Sequence, residues 1–394
     1  GLELVCNEFM KGASGRQVIQ RDAKQRMLPS LQSVFEPAVD GYHLALTIDQ
    51  VIQYIAEREL DEVFQKTRAK AASIIVMDPF TGKILALANR PTYNINTFYV
   101  SNHDMRRNRA VTDCYEPGSK FKIITASGCL EERVLSPSDR IFCENGEYKF
   151  RSRILHDHTS HGWLTFKEVI GLSSNIGTCK AAQKLGEKKL GEYIDRFGFG
   201  KKTGIELAGE AGGLVRPVSG WSKISISSIP MGQGIAVTTL QMICAYSVIA
   251  NGGNLVKPII IDRVINEKYK TIKKFEPCIV RRVIREDTAA VMKDFLVNVV
   301  ENGTGKSAKI ENLKVAGKTG TAQKIEADGT YSHSKFMSSF FGFVPADKPL
   351  FAIGVVIDEP RTMYYGGVIA APVFKKVAQE AYKYMKVKQT SDKW

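Results

Sequence analysis

Cys114-Tyr-Glu-Pro-Gly-Ser-Lys-Phe-Lys-Ile-Ile-Thr-Ala-Ser-Gly128 is the stretch on which the reading of this chain turns. A Pro-Gly turn hands Ser119 to the start of an apolar run, and Lys122 follows three residues later. On a helix that step sets two side chains beside each other. The run "FKIITA" predicts a helix with one buried face, so the lysine is drawn out of water. A desolvated ammonium sheds its proton readily and becomes a base. A base beside a hydroxyl is one way to make a nucleophile of a serine. The positive end of the helix dipole would favour the negative charge that develops there.

The spacing alone decides little, because Ser332-His333-Ser334-Lys335 repeats it. That copy reads as a polar loop before a strand, where nothing would desolvate the lysine. A second pair of look-alikes lies in Lys318-Thr319-Gly320 and Lys202-Thr203-Gly204. The first ends the apolar run "LKVAG" and reads as an edge strand, on which a substrate backbone could pair while Lys318 faces a carboxylate. The second follows a glycine-rich turn. Between them, in "GLSSNIG", Ser173 and Asn175 stand two apart and could face one cavity from a loop between helices. A serine there is equally suited to capping the helix that follows.

Around these motifs the chain orders its elements legibly. "HLALTIDQ" alternates and ends on an Asp-Gln helix start, and apolar residues from Val51 to Val63 recur at helical spacing. "ASIIVMDPFTGKILALANR" reads as a hairpin. A long helix-and-loop region follows, then three strand-like runs, "NLKVAGKTGTAQ", "MSSFFGFVP" and "LFAIGVVIDEP". A last helix is expected to begin near Pro372. This order predicts an α+β fold: an antiparallel sheet sandwiched by helices, with an inserted helical subdomain.

Composition narrows the function. The 394 residues carry a net charge of +14, but the basic residues are scattered and no basic stripe alternates with aromatics. Nucleic-acid binding is therefore not indicated, while an anionic lipid or cell-wall polymer remains compatible. The seven cysteines include no Cys-x-x-Cys pair, so neither a zinc site nor a dithiol motif is expected. "HDHTSH" (156–161) holds three histidines but reads as a surface loop with no distant partner, and no metal is expected. No apolar run is long enough to span a bilayer. The opening "GLELVCNEF" looks like mid-domain sequence, which suggests a fragment of a longer chain whose missing part carries a membrane anchor.

The order S-x-x-K, S-x-N, K-T-G is the motif set of penicillin-binding proteins and β-lactamases. Together with "RNRAVTDCYEPGSKFK", "TFKEVIGLSSNIG", "VTTLQMICAYSVIANGG", "VAGKTGTAQK" and "YYGGVIAAPVF", it makes nearly the whole chain resemble the transpeptidase domain of class B penicillin-binding proteins. Glu116 inclines the resemblance toward the division (septal) type over the elongation type.

The resemblance implies the penicillin-binding transpeptidase fold over residues 41–388. Residues 1–40 would be the end of a non-catalytic pedestal domain and 389–394 a C-terminal tail. It implies Ser119 as nucleophile on the D-Ala-D-Ala end of a peptidoglycan stem peptide, Lys122 as base, Ser173 as proton relay and Asn175 as substrate clamp. Lys318 would supply positive potential, Thr319, Gly320 and Thr321 would hold substrate, and the backbone N–H groups of Ser119 and Thr321 would form the oxyanion hole.

No cofactor is implied. The implied partners are stem peptides on glycan made from lipid-linked precursors, β-lactams as covalent inhibitors, and a glycosyltransferase with other division proteins at the outer face of the cytoplasmic membrane. A carboxypeptidase or β-lactamase on the same fold, or a penicillin-sensing receptor, are the competing expectations. No glutamate between Asn175 and Lys318 is followed by asparagine four residues on, the pattern of the class A β-lactamase base. Lys120 departs from the small residue usual beside the nucleophile, and it is expected to alter only surface charge.

Overall fold

The computed structural model describes residues 1–28, 35–326 and 328–391. The chain forms two units, one of residues 1–47, 206–208 and 259–276 and one of the remainder. In the first, short helices Leu2–Val5 and Asn7–Met10 precede paired two-residue strands. Strand Ile261–Ile265 lies antiparallel between His43–Leu46 and Thr271–Lys274. Of the expected pedestal remnant, residues 29–34 lie outside the described residues.

The second unit is built on a five-stranded sheet. Its strands are β1 (Ala71–Met77), β2 (Ile84–Arg90), β3 (Ala316–Ile325), β4 (Tyr331–Val344) and β5 (Phe351–Asp358). The order across the sheet is β3-β4-β5-β1-β2, antiparallel throughout, with β3 at one edge. β1 is buried at every residue, as a strand covered on both faces must be. Consecutive strand residues point to opposite faces. Phe340 packs against Phe374 at 4.7 Å between ring centroids, and Phe341 against Tyr246 at 5.6 Å. Helices therefore cover both faces, and the expected sandwich holds.

On the Phe340 face lie α1 (Gln50–Thr67), capped by Asp49 accepting from the N–H groups of Val51 and Ile52, and the terminal helix Gly366–Ser391. That helix starts at Gly366, six residues before the expected Pro372. The Gly366 N–H donates to Thr321 Oγ1 at 3.0 Å, so β3 fixes the first turn. Pro372 then sits inside the helix and leaves one rung without a donor. Residues 392–394 of the expected tail lie outside the described residues.

The insertion between β2 and β3 carries α2 (Lys122–Glu131), α3 (Phe166–Gly171), α4 (Asn175–Leu185), α5 (Glu187–Arg196), α6 (Thr239–Ala250) and α7 (Glu286–Glu301). All twelve residues of α6 are buried, which suits a helix apolar on every side. Among the described residues no helix is long and apolar enough to cross a membrane.

Candidate active site

Ser119 is placed by the turn before it. Gly118 has φ +61°, where a side chain is costly, and its N–H donates to Gly232 O at 3.1 Å. A Cβ there would also come within 3.1 Å of the Ala322 Cβ on β3. Gly118–Phe121 form a 3₁₀ turn that runs straight into α2. In such a turn residues three apart eclipse, which sets Lys122 under Ser119. Ser119 lines a cavity of about 300 Å³, together with Glu116, Arg153, His156, Asn175 and Thr321.

Lys122 has no exposed surface. Its Nζ donates to Ser173 O at 2.6 Å, Asn175 Oδ1 at 2.8 Å and Ser173 Oγ at 3.2 Å. Burial pushes its pKa down to about 7, against the opposing pull of the Asp157 charge. Lys318, equally buried, donates from Nζ to Ser173 Oγ at 2.9 Å and to Thr319 O at 3.3 Å. Burial first, and the nearby Lys122 second, hold Lys318 well below the ordinary lysine range. Ser173 Oγ thus accepts from both lysines, which uses both lone pairs and leaves its own proton to donate.

The two readings of "GLSSNIG" are divided between neighbouring serines. Ser174 caps α4, accepting from Gly177 N–H at 2.9 Å, while Ser173 stands in the loop between α3 and α4 with φ +62°. A serine held at positive φ is strained, and the surrounding hydrogen bonds keep it there. Lys122 and Lys318 hold Ser173 itself, and Asp157 ties down the residues that follow it. Its carboxylate accepts from Ser174 Oγ at 2.6 Å, Asn175 N–H at 2.5 Å and Ile176 N–H at 3.0 Å. The side-chain amide of Asn175 donates to His156 O at 2.8 Å.

"HDHTSH" is therefore not a plain surface loop. His156 ends a strand, Arg153–His156, that walls the cavity, and the aspartate between two exposed histidines organises the site. No group of three or more metal-ligating side chains occurs among the described residues. A carboxylate sixteen residues before Ser173 gave no sequence signal; only the expectation that an acid sits near a helix N-terminus could have raised it.

On the edge strand, Thr319 Oγ1 shares a 2.8 Å hydrogen bond with Thr304, and Thr321 faces the cavity. Lys318 and Ser173 come together with Lys122 and Asn175, whereas the look-alikes stand apart. Lys202 is exposed, and Thr203 donates from N–H at 2.6 Å and Oγ1 at 2.5 Å to Glu210. Ser332 lies on β4, not in a loop, because Ile325 pairs with Tyr331 and carries the hairpin ladder past it. Ser332 is buried, but Lys335 is half-exposed and bound to Glu326 at 2.7 Å, so its amine stays solvated.

Lys120 overturns its expectation. It is fully buried, with Nζ donating to Ser339 Oγ at 2.7 Å and lying 4.4 Å from the Tyr115 ring centroid and 5.0 Å from that of Phe341. One step along a 3₁₀ turn rotates the side chain by a third of a circle, from the cavity into the space between α6 and the sheet.

Comparison with known proteins places the chain in a family. Residues 72–379 match the family model for the penicillin binding protein transpeptidase domain. The chain is 36% identical over 393 residues to stage V sporulation protein D of Bacillus subtilis, covering 98% of this chain and 61% of that protein. It is 34% identical to the probable peptidoglycan D,D-transpeptidase PenA of Neisseria flavescens, covering 99% of this chain and 95% of that one. Among solved structures, penicillin binding protein 3 of Mycobacterium tuberculosis complexed with aztreonam superposes with a TM-score of 0.84. Its identity is 32%, and the match covers 94% of this chain and 88% of that chain. Every residue of the Ser119–Lys122–Ser173–Lys318 cluster lies inside the matched segment, and the chain belongs to the penicillin-binding protein transpeptidase family.

Proposed function

We propose that this chain is a serine D,D-transpeptidase that cross-links peptidoglycan stem peptides. The observation that carries the reading is Lys122, a buried amine with a pKa near 7 that follows Ser119 by three residues on the same turn and is tied to Lys318 through one hydroxyl. Ser119 Oγ attacks the penultimate D-alanine carbonyl as its proton passes to Lys122 Nζ. The oxyanion is held by the N–H groups of Ser119 and Thr321; loss of one such donor typically costs about 3–4 kcal/mol. The C–N bond then breaks, and the leaving D-alanine amine takes a proton relayed through Ser173. An acceptor amine attacks the ester, gives up its proton to the same base, and Ser119 regains its own.

Thr319 and Thr321 hold the substrate carboxylate, whose negative charge restores the ammonium form of Lys318. Asn175 orients the donor peptide. β-Lactams enter as mimics of the same donor and stop at the ester.

Glu116 supports assignment to cell division, in association with a glycosyltransferase at the outer face of the cytoplasmic membrane. A preceding segment would supply the anchor, and residues 1–40 the end of a pedestal domain. The Bacillus relative's name supports a second setting, wall synthesis in sporulation.

One observation favours a hydrolase instead. Glu116 is a carboxylate in the cavity wall, and burial pushes its pKa up from the usual carboxylate range. Its oxygens are occupied, accepting from Gly234 N–H at 2.6 Å and Tyr331 Oη at 3.1 Å, which opposes that role. The test is a pentapeptide donor with an added amine acceptor, followed by mass spectrometry. A cross-linked product lacking one D-alanine is expected; release of D-alanine with only hydrolysed tetrapeptide, whatever the acceptor concentration, would favour the hydrolase.

A further inference from the structure

Lys120 stands next to the nucleophile, yet every part of it is inside the fold. Among the described residues no carboxylate pairs with it. What surrounds Nζ is the Ser339 hydroxyl at 2.7 Å and the faces of Tyr115 and Phe341, while Tyr246 Oη donates to the Lys120 carbonyl at 3.1 Å. An unpaired amine in such a place is costlier to bury than a hydrocarbon side chain unless its hydrogen bonds matter. The ordering of those bonds indicates what they hold.

Ser339 is also fully buried, and its Oγ–H donates to Gly320 O at 3.3 Å. Lys120 Nζ, Ser339 Oγ and the Gly320 carbonyl therefore form one chain of donors. The packing at Gly320 is equally close: a Cβ there would stand 2.7 Å from Ser339 Oγ and 3.3 Å from Lys120 Cδ. Glycine alone lets the lysine and the serine rest on that peptide. Because a trans peptide is planar, the Gly320 C=O and the Thr321 N–H belong to one rigid unit and point opposite ways. A donor chain pulling on the carbonyl fixes the N–H on the other side, and polarises it.

We propose that Lys120 is a positioning residue for acylation: acting through Ser339, it fixes the Gly320–Thr321 peptide of the edge strand so that the Thr321 N–H meets the developing oxyanion. The inference rests on the reading that Ser119 is acylated and that the Thr321 N–H stabilises that step.

The test is stopped-flow acylation by a fluorescent penicillin, resolved into the acylation rate constant k2 and the dissociation constant K of the preceding complex. Wild type, Lys120→Met, Ser339→Ala and the double variant are compared, with thermal melting to show that each is folded. Each single change should lower k2 by about tenfold or more and leave K within about twofold, since the contact acts in the transition state. The double variant should lose no more than either single one, because both break the same chain.

An unchanged k2 in Lys120→Met, a loss confined to K, or losses that multiply would overturn the proposal. If Lys120→Met does not fold, Ser339→Ala decides alone, and an unchanged k2 there overturns it. Wild type that takes no label on Ser119 would overturn this inference and the functional reading together. Labelled wild type with indifferent variants would overturn this inference only.

Discussion

Lys122 sets the pH dependence of the site. Its pKa of about 7 lies far below the ~10.4 of a solvated lysine, so the proton leaves as pH rises through neutrality. Only the neutral amine can accept the Ser119 proton. Acylation should therefore reach a plateau above about pH 7 and fall about tenfold per unit below it, as measured by penicillin acylation rates from pH 5 to 9. Lys122→Ala should slow acylation by orders of magnitude at every pH, and a wild-type rate would place the base elsewhere. Against the burial that lowers it, Asp157 is the larger of the two charges, with Cys143, that raise the Lys122 pKa. Asp157→Asn should move the midpoint of the profile to lower pH; a midpoint that stays or rises would remove Asp157 from the electrostatics of the site.

The Ser119–Lys122 pair was legible because spacing and an apolar run are local features. Asp157 was not, since its value comes from a helix N-terminus brought to it by folding. Lys120 was misread for the same reason: a lysine's burial depends on what covers it, and α6 with the sheet covers this one.

At the scale of elements, the edge position of β3 decides which Lys-Thr-Gly copy works. Lys318 belongs to an edge strand with its amine turned into the buried Ser173–Lys122 cluster, while Lys202 is exposed on a loop tied down by Glu210. Lys318→Ala should weaken acylation strongly, and Lys202→Ala should change it less than about twofold. Second-order acylation rates compare the two, and equal losses would refute the edge-strand argument.

The apolar run before Lys318 made this strand readable. The length of β4 was hidden, because Ser332 to Lys335 look polar and only the Ile325–Tyr331 pairing extends the ladder through them. The helices were legible where a cap accompanied the period, as Asp49 shows for α1. The terminal helix was misplaced because Pro372 looks like a first-turn residue, whereas the bond from Gly366 to Thr321 starts the helix earlier.

Across the whole molecule, the order of elements announced the sandwich, but the strand order β3-β4-β5-β1-β2 was not readable from one sequence. β1 and β5 are distant in the chain and both apolar on both faces, so many pairings would satisfy their patterns. The sheet is what holds the site's two halves in register, since β3 hangs from the core through β4. Phe340, buried against Phe374, anchors that attachment. Phe340→Ala should destabilise the protein by roughly 3–5 kcal/mol in denaturant unfolding, and a loss below about 1 kcal/mol would mean that the sheet–helix core does not carry the fold.

One serine, Ser119, should form an ester that water does not clear. Incubation with a labelled penicillin, removal of free drug, and intact-mass and peptide mass spectrometry over time test it most directly. A single adduct on Ser119, absent from Ser332 and from Ser119→Ala, is expected to persist for many minutes to hours. A label on Ser332, undiminished labelling of Ser119→Ala, or rapid return to the unmodified mass with repeated turnover of the drug would contradict it.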